Sequence, residues 1–221
     1  MFLRKDNTLK WKWILFGALI TMALVFIGVF WRDNFIQPII YNKDCRIESN
    51  SLICSAAIII GKIFSAKAWL VGTSLAVLFF FVYKALANGN DFRYAFVKIK
   101  NSYVFYVFCS VCAAIATTGV LKFLIGRPRP YVNETVFQTL TFADKFNSMP
   151  SGHTAVSFAG LVMIGMLFPR IKWLTWTTAI IIALSRVYVG KHWPSDVIFG
   201  AFIGMVCADI VKSILKKINS K

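Results

Sequence analysis

Trp13-Ile-Leu-Phe-Gly-Ala-Leu-Ile-Thr-Met-Ala-Leu-Val-Phe-Ile-Gly-Val-Phe-Trp31 runs from one tryptophan to another without a charge. A helix of that length covers most of the ~30 Å hydrocarbon core of a bilayer. Arg4, Lys5, Lys10 and Lys12 precede it. The run is long for a signal-peptide core and ends without a small-residue cleavage site, so it reads as an uncleaved first transmembrane helix. The rest of the chain agrees. Of its 221 residues, 58% are hydrophobic and only 15% charged, and mean hydropathy is +0.67. A soluble fold of this length could not hide so much apolar surface. Disorder, a secreted disulfide scaffold and an ordinary cytosolic enzyme are thereby excluded.

Further apolar runs cover Ala68–Ala87, Ser102–Leu121, His153–Phe168, Trp173–Tyr188 and Val197–Val211. Leu52–Ala66 is shorter and is interrupted by Ser55, Gly61, Lys62 and Ser65. Parity decides its reading. Asn88–Lys100 carries Arg93, Lys98 and Lys100, and the tail carries Lys212, Lys216, Lys217 and Lys221. Both read as cytoplasmic, as does the N-terminus. Only an even number of crossings before Asn88 satisfies this. The expectation is therefore an all-α integral membrane protein with six transmembrane helices. An interfacial or re-entrant helix lies near 52–66, and one domain spans 1–221. Asn88–Lys100 is then inside and Tyr131–Met149 outside.

The chain has 25 basic and 9 acidic residues, a net charge of +16. The cations are scattered between apolar runs, which favours a membrane surface or an anionic substrate over nucleic acid. Cys109 and Cys112 have CxxC spacing but lie in an apolar run and read as buried thiols. Cys45 and Cys54 fall in the stretch that parity places outside. They are candidates for a short disulfide, with two free thiols as the alternative. Trp11, Trp13, Trp31, Trp69, Trp173 and Trp193 read as an interfacial belt.

Three polar islands border the apolar helices: Lys122 to Arg129-Pro130, Pro150-Ser151-Gly152-His153, and Ser185-Arg186 to His192 and Asp196. In the six-span topology all three reach the outer face. Lys122, Arg129 and Arg186 are cations at membrane boundaries, where charge is costly and usually functional. Guanidinium forks and an ammonium suit phosphate. Pro150-Ser-Gly-His reads as a turn into a helix whose free N–H groups attract anions. Asp196 lies one helical turn past His192. A carboxylate on one imidazole nitrogen would leave the other free as a nucleophile, with His153 as general acid. Arg127 and Lys191 lie off the fixed positions and stay open between headgroup contact and interface anchor.

This constellation resembles the type 2 phosphatidic acid phosphatase superfamily. Its three-part signature is Lys, six residues, Arg-Pro; then Pro-Ser-Gly-His; then Ser-Arg, five residues, His, three residues, Asp. Every position is matched here. The resemblance implies that His192 forms a phosphohistidine, Asp196 orients it, and His153 protonates the leaving group. It implies that Lys122, Arg129, Arg186, Ser151 and Gly152 hold the phosphoryl group, with no metal and no cofactor. The implied partner is a lipid phosphate or diphosphate in the bilayer. The six-span topology puts its hydrolysis at the outer leaflet, and the compact chain without a recognisable eukaryotic sorting signal points to a bacterial inner membrane. Undecaprenyl diphosphate, lipid A 1-phosphate, phosphatidylglycerol phosphate and phosphatidic acid all qualify. A lipid phosphotransferase would use the same residues, and a non-catalytic lipid- or anion-binding membrane protein is the reading from another class.

Overall fold

The computed structural model describes residues 2–4, 8–41, 45, 51–132 and 136–220. Lys5 and Lys221, residues 46–50 of the stretch between Cys45 and Cys54, and 133–135 of the connection expected outside lie outside the described residues. Among the described residues the regular structure is helical. The helices are α1 (Trp11–Ile27), α2 (Asp33–Ile40), α3 (Leu52–Ile63), α4 (Ala66–Ala87), α5 (Phe92–Lys100), α6 (Tyr103–Ile125), α7 (Gly152–Leu167), α8 (Lys172–Tyr188) and α9 (Pro194–Asn219). A π-helical turn, Gly28–Arg32, joins α1 to α2.

Among the described residues, four helices are long and apolar enough to cross a membrane: Trp11–Trp31, α4, α6 and α9. The protein is an integral membrane protein. Side chains along the outer faces, such as Leu19, Phe79, Val120 and Ile214, stay exposed because lipid rather than protein is their solvent. Helix starts are set locally. Ser65 accepts from the Ala68 N–H (3.1 Å), Asp91 from Tyr94 (3.0 Å) and Ser102 from Phe105 (3.2 Å). The Asp91 cap turns part of the expected inner loop into the short amphipathic helix α5. Its Lys98 and Lys100 lie over the rings of Tyr94 and Phe96.

The core is built on α7, which packs against α6, α8 and α9. Almost every residue from Thr154 to Gly165 is buried. The α7–α9 crossing depends on Gly200 and Gly204. A Cβ at Gly200 would lie 2.6 Å from the Ser151 carbonyl, and one at Gly204 2.3 Å from the Ala155 carbonyl. In lipid, where helices gain little from hydrophobic burial, such small residues let backbones approach and gain dispersion contact. The start of α7 is thereby pinned to the start of α9, and the Ser151 N–H donates to the Asp196 carbonyl at 3.0 Å.

Two tryptophans depart from the belt. Trp69 turns inward, its indole N–H on Ser157 Oγ at 3.2 Å, and Trp193 donates to the Pro128 carbonyl at 2.9 Å. Trp11, Trp13, Trp31 and Trp173 are exposed, as a belt requires.

Candidate active site

The three motifs meet at one end of the bundle. Lys122 sits in the last turn of α6, Gly152 and His153 open α7, and Arg186 lies in the last turn of α8. His192 and Trp193 enter α9, with Pro194 in its first turn. Backbone bonds tie the connections together: Ser148 N–H to the Arg127 carbonyl (3.1 Å), Arg129 N–H to Lys145 (2.9 Å) and His192 N–H to Arg186 (3.3 Å). A cavity of about 790 Å³ opens among them, walled by Lys122, Arg129, Gly152, His153, Arg186 and His192. Gly61, Lys62, Lys191 and the carboxylate Asp144 are also on its wall.

His192 is buried, and its Nδ1 lies 2.8 Å from the Ser148 carbonyl. A carbonyl can only accept, so Nδ1 carries the proton and Nε2 keeps its lone pair. The expected partner Asp196 is close, but its Oδ2 lies 3.6 Å from Nδ1, and the Ser148 carbonyl is the nearer acceptor. Oδ2 is instead engaged by the Ser148 hydroxyl and, at 2.9 Å, by the Trp193 N–H. The latter is the carboxylate of a helix start reaching back to its cap. Burial, with the cations Lys122 and Arg129, draws the His192 ring down to about 4 against the opposing pull of Asp196. Its neutral form therefore prevails at pH 7.

Four of the five arginine and lysine groups in the motif segments divide by their partners. Arg127 is neutralised: Nη2 meets Asp33 Oδ2 and Nη1 meets Asp196 Oδ1, both at 2.8 Å, and all three side chains are almost fully buried. Lys122 donates to the Asn147 carbonyl. Arg186 donates to the Ala57 carbonyl (2.5 Å) and to Ser185 Oγ (3.0 Å). Those partners are neutral, so both charges stay available. Arg129 pairs with Asp144 at 2.6 Å and donates to its carbonyl at 2.9 Å, but Asp144 is 77% exposed, so solvent screens the ion pair. Three uncompensated or loosely held cations therefore face one cavity.

The structure brings His192, Asp196, His153, Lys122, Arg129, Arg186 and Gly152 together. Ser151 stands apart: it is fully buried, its hydroxyl accepts from Thr154 at 3.0 Å, and it is not on the cavity wall. It caps no N–H of α7, which leaves the helix start open to an anion. Arg127 is neither headgroup contact nor anchor but the buried link between Asp33 and Asp196. Asp33, Ser148, Ala57 and Gly61 were not singled out in the sequence. Three act through backbone atoms or close approach, which spacing does not encode. Asp33 left one trace, a carboxylate just after a span.

The PAP2 superfamily model matches residues 103–220, over half of the chain. The chain belongs to the PAP2 superfamily. A lipid A 1-phosphatase of Rhizobium johnstonii is 34% identical over 157 residues, 66% of this chain and 63% of that protein. An undecaprenyl-diphosphatase of Sulfolobus acidocaldarius is 36% identical over 98 residues, 43% of this chain and 47% of the relative. The chain thus spans less than two thirds of the length of these curated relatives. The crystal structure of Aquifex aeolicus LpxE shares the fold of this PAP2 chain, with a TM-score of 0.53 and 21% identity over 76% of this chain and 89% of that one.

Proposed function

We propose that this PAP2 protein is a lipid-phosphate phosphatase acting through a phosphohistidine, in one membrane domain across 1–221. The observation that carries it is the set of cations Lys122, Arg129 and Arg186 beside a histidine whose Nδ1 is held by a carbonyl. The cations neutralise the charge on the phosphoryl oxygens in the transition state. His192 Nε2 attacks phosphorus in line, and the bond to the lipid oxygen breaks as His153 gives that oxygen a proton. Water then attacks the phosphohistidine while His153 takes back a proton, releasing inorganic phosphate and restoring His192. Asp196 and the Ser148 carbonyl stabilise the positive charge that develops on the ring. The Gly152 N–H at the start of α7 adds to the phosphate cradle, and Ser151 supports it from behind the wall. The chemistry asks for no metal or cofactor.

The cavity exceeds what one phosphate needs, and Lys62 and Lys191 add positive charge to its wall. This suits a headgroup with a second anionic group, as in a diphosphate or a phosphorylated sugar. The names of the relatives, lipid A 1-phosphatase and undecaprenyl-diphosphatase, favour that class.

α1, α4, α6, α7, α8 and α9 make six spans in this reading. α7 and α8 reach only roughly 24–26 Å, and burial of α7 among its neighbours supports a short span. α3 lies in the outer interface, with Leu52, Ile53, Ile59 and Ile63 facing lipid. The cations of α5 and of the end of α9 support a cytoplasmic position for those ends. The site then faces the exterior of a bacterial inner membrane.

The test is phosphate release from purified lipid phosphates and diphosphates in detergent, by wild type and His192→Ala. Release by wild type and none by the variant is expected. Equal release by both would overturn the mechanism, and no release by wild type from any of them would overturn the function.

A further inference from the structure

Asp33 comes from outside the three motifs, yet it is almost wholly buried against them. Its Oδ2 meets Arg127 Nη2 at 2.8 Å and takes the Ser195 hydroxyl, and its Oδ1 accepts from the Ser195 N–H at 3.1 Å. Arg127 Nη1 continues the chain to Ser195 Oγ (2.6 Å) and Asp196 Oδ1 (2.8 Å). Arg127 does not line the cavity, and its face lies over Trp193 at 5.2 Å. The first span delivers Asp33 through the π-helical turn Gly28–Arg32, a wide turn of a kind often found at functional sites. The approach is as close as a hydrogen allows, since a Cβ on Gly28 would lie 2.7 Å from Ser195 Cβ.

We propose that Asp33 and Arg127 are positioning residues for the nucleophile, fixing the Asp196 carboxylate and leaving its charge to serve His192. The inference rests on the phosphatase reading above. One guanidinium between two carboxylates leaves the trio with one net negative charge. When Nε2 bonds to phosphorus the imidazole ring becomes cationic, and that residual charge lies beside it. Without Asp33 the guanidinium has Asp196 as its only carboxylate partner among the described residues. The two charges then cancel in a buried site where Coulomb attraction is strong. Asp196 would be drawn toward Arg127 and away from His192.

The experiment is a double-mutant cycle on a soluble aryl phosphate, using Asp33→Asn, Asp196→Asn and the pair, with activity expressed per folded protein. Asp33→Asn alone should lower kcat ~10–100-fold and leave KM within about 2-fold, because the phosphate-holding cations are untouched. Added to Asp196→Asn, it should cost less than ~3-fold more, because both act through one carboxylate. Loss of folded enzyme would instead multiply equally in both backgrounds. Arg127→Lys, which keeps a cation, should be milder than Arg127→Met. If Asp33→Asn does not fold, Ser195→Ala removes one bridge of the same network and enters the same cycle. Wild-type kcat in the single variant, or a full multiplicative loss in the pair, overturns the inference. A wild-type enzyme that turns over nothing strikes the phosphatase reading instead, before any variant is compared.

Discussion

Replacing Gly61 with alanine puts a methyl group where the Arg186 guanidinium lies. The added Cβ would sit 1.9 Å from Nη1 and 2.3 Å from both Cζ and Nη2. Restoring an ordinary contact of about 3.5 Å moves the guanidinium by roughly 1.5 Å. The side chain is flexible and can move without breaking the fold, and alanine in a helix interior is favoured over glycine by up to about 1 kcal/mol. Thermal stability should therefore hold or rise. The displacement falls on one of the cations proposed to hold the phosphoryl group, and also on the bond from Arg186 to the Ala57 carbonyl. A misplacement of this size can cost about 100-fold in rate, or about 2.7 kcal/mol of transition-state stabilisation. The assay is kcat/KM for phosphate release with thermal unfolding of the same sample. Gly72→Ala, at a position with no atom within 4 Å of the added Cβ, is the control. Wild-type kcat/KM in Gly61→Ala would refute the placement of Arg186 against α3.

The two histidines of this chain allow a direct NMR titration. His192 should titrate near 4, because burial and the facing cations Lys122 and Arg129 outweigh Asp196; a value at or above the free-imidazole 6.5 would contradict this. Since the folded value lies below the unfolded one, the unfolded chain binds more protons between the two. Stability from this group, present above about 6.5, should decline as pH falls toward 4. Activity should survive EDTA, because in the proposed mechanism three cations do the work a metal would do; loss restored by magnesium or zinc would refute it. Intact-mass analysis of denatured, unreduced, alkylated protein should find three modified cysteines, since Cys45 and Cys54 are bonded with Cα atoms 5.0 Å apart while Cys109, Cys112 and Cys207 are free. Alkylation of all five would remove that bond, and its reduction should cost at most roughly 2–3 kcal/mol.

Much of this architecture is written locally. The run from Trp13 to Trp31 announces a span because lipid rewards uninterrupted apolar length, and its helix extends only to Trp11. His192 and Asp196 are one turn apart in any helix start, so their proximity is legible from spacing. Their hydrogen bonding is not. The nearer acceptor on Nδ1 is the Ser148 carbonyl, a main-chain atom that every residue carries, 44 positions away. Trp69 and Trp193 look alike among the interfacial tryptophans, yet distant partners, Ser157 and Pro128, turn both inward. Arg127 differs from Arg129 only in what surrounds it. Two buried carboxylates hold the first, and one exposed carboxylate holds the second, a distinction that exists only after folding.

The contacts made by Asp33 and Ala57 bear on where the smallest working unit of this protein begins. The family match starts at residue 103, but Arg127 and Arg186 are each completed by atoms upstream of it. A fragment cut at that boundary would keep every signature residue and lose the partners that set two of them. Arg127 would keep Asp196 and lose Asp33, and Arg186 would lose the carbonyl that aims it. Grafting or swapping this site between proteins therefore has to carry the first span, its π-helical turn and the α3 segment as one inheritance.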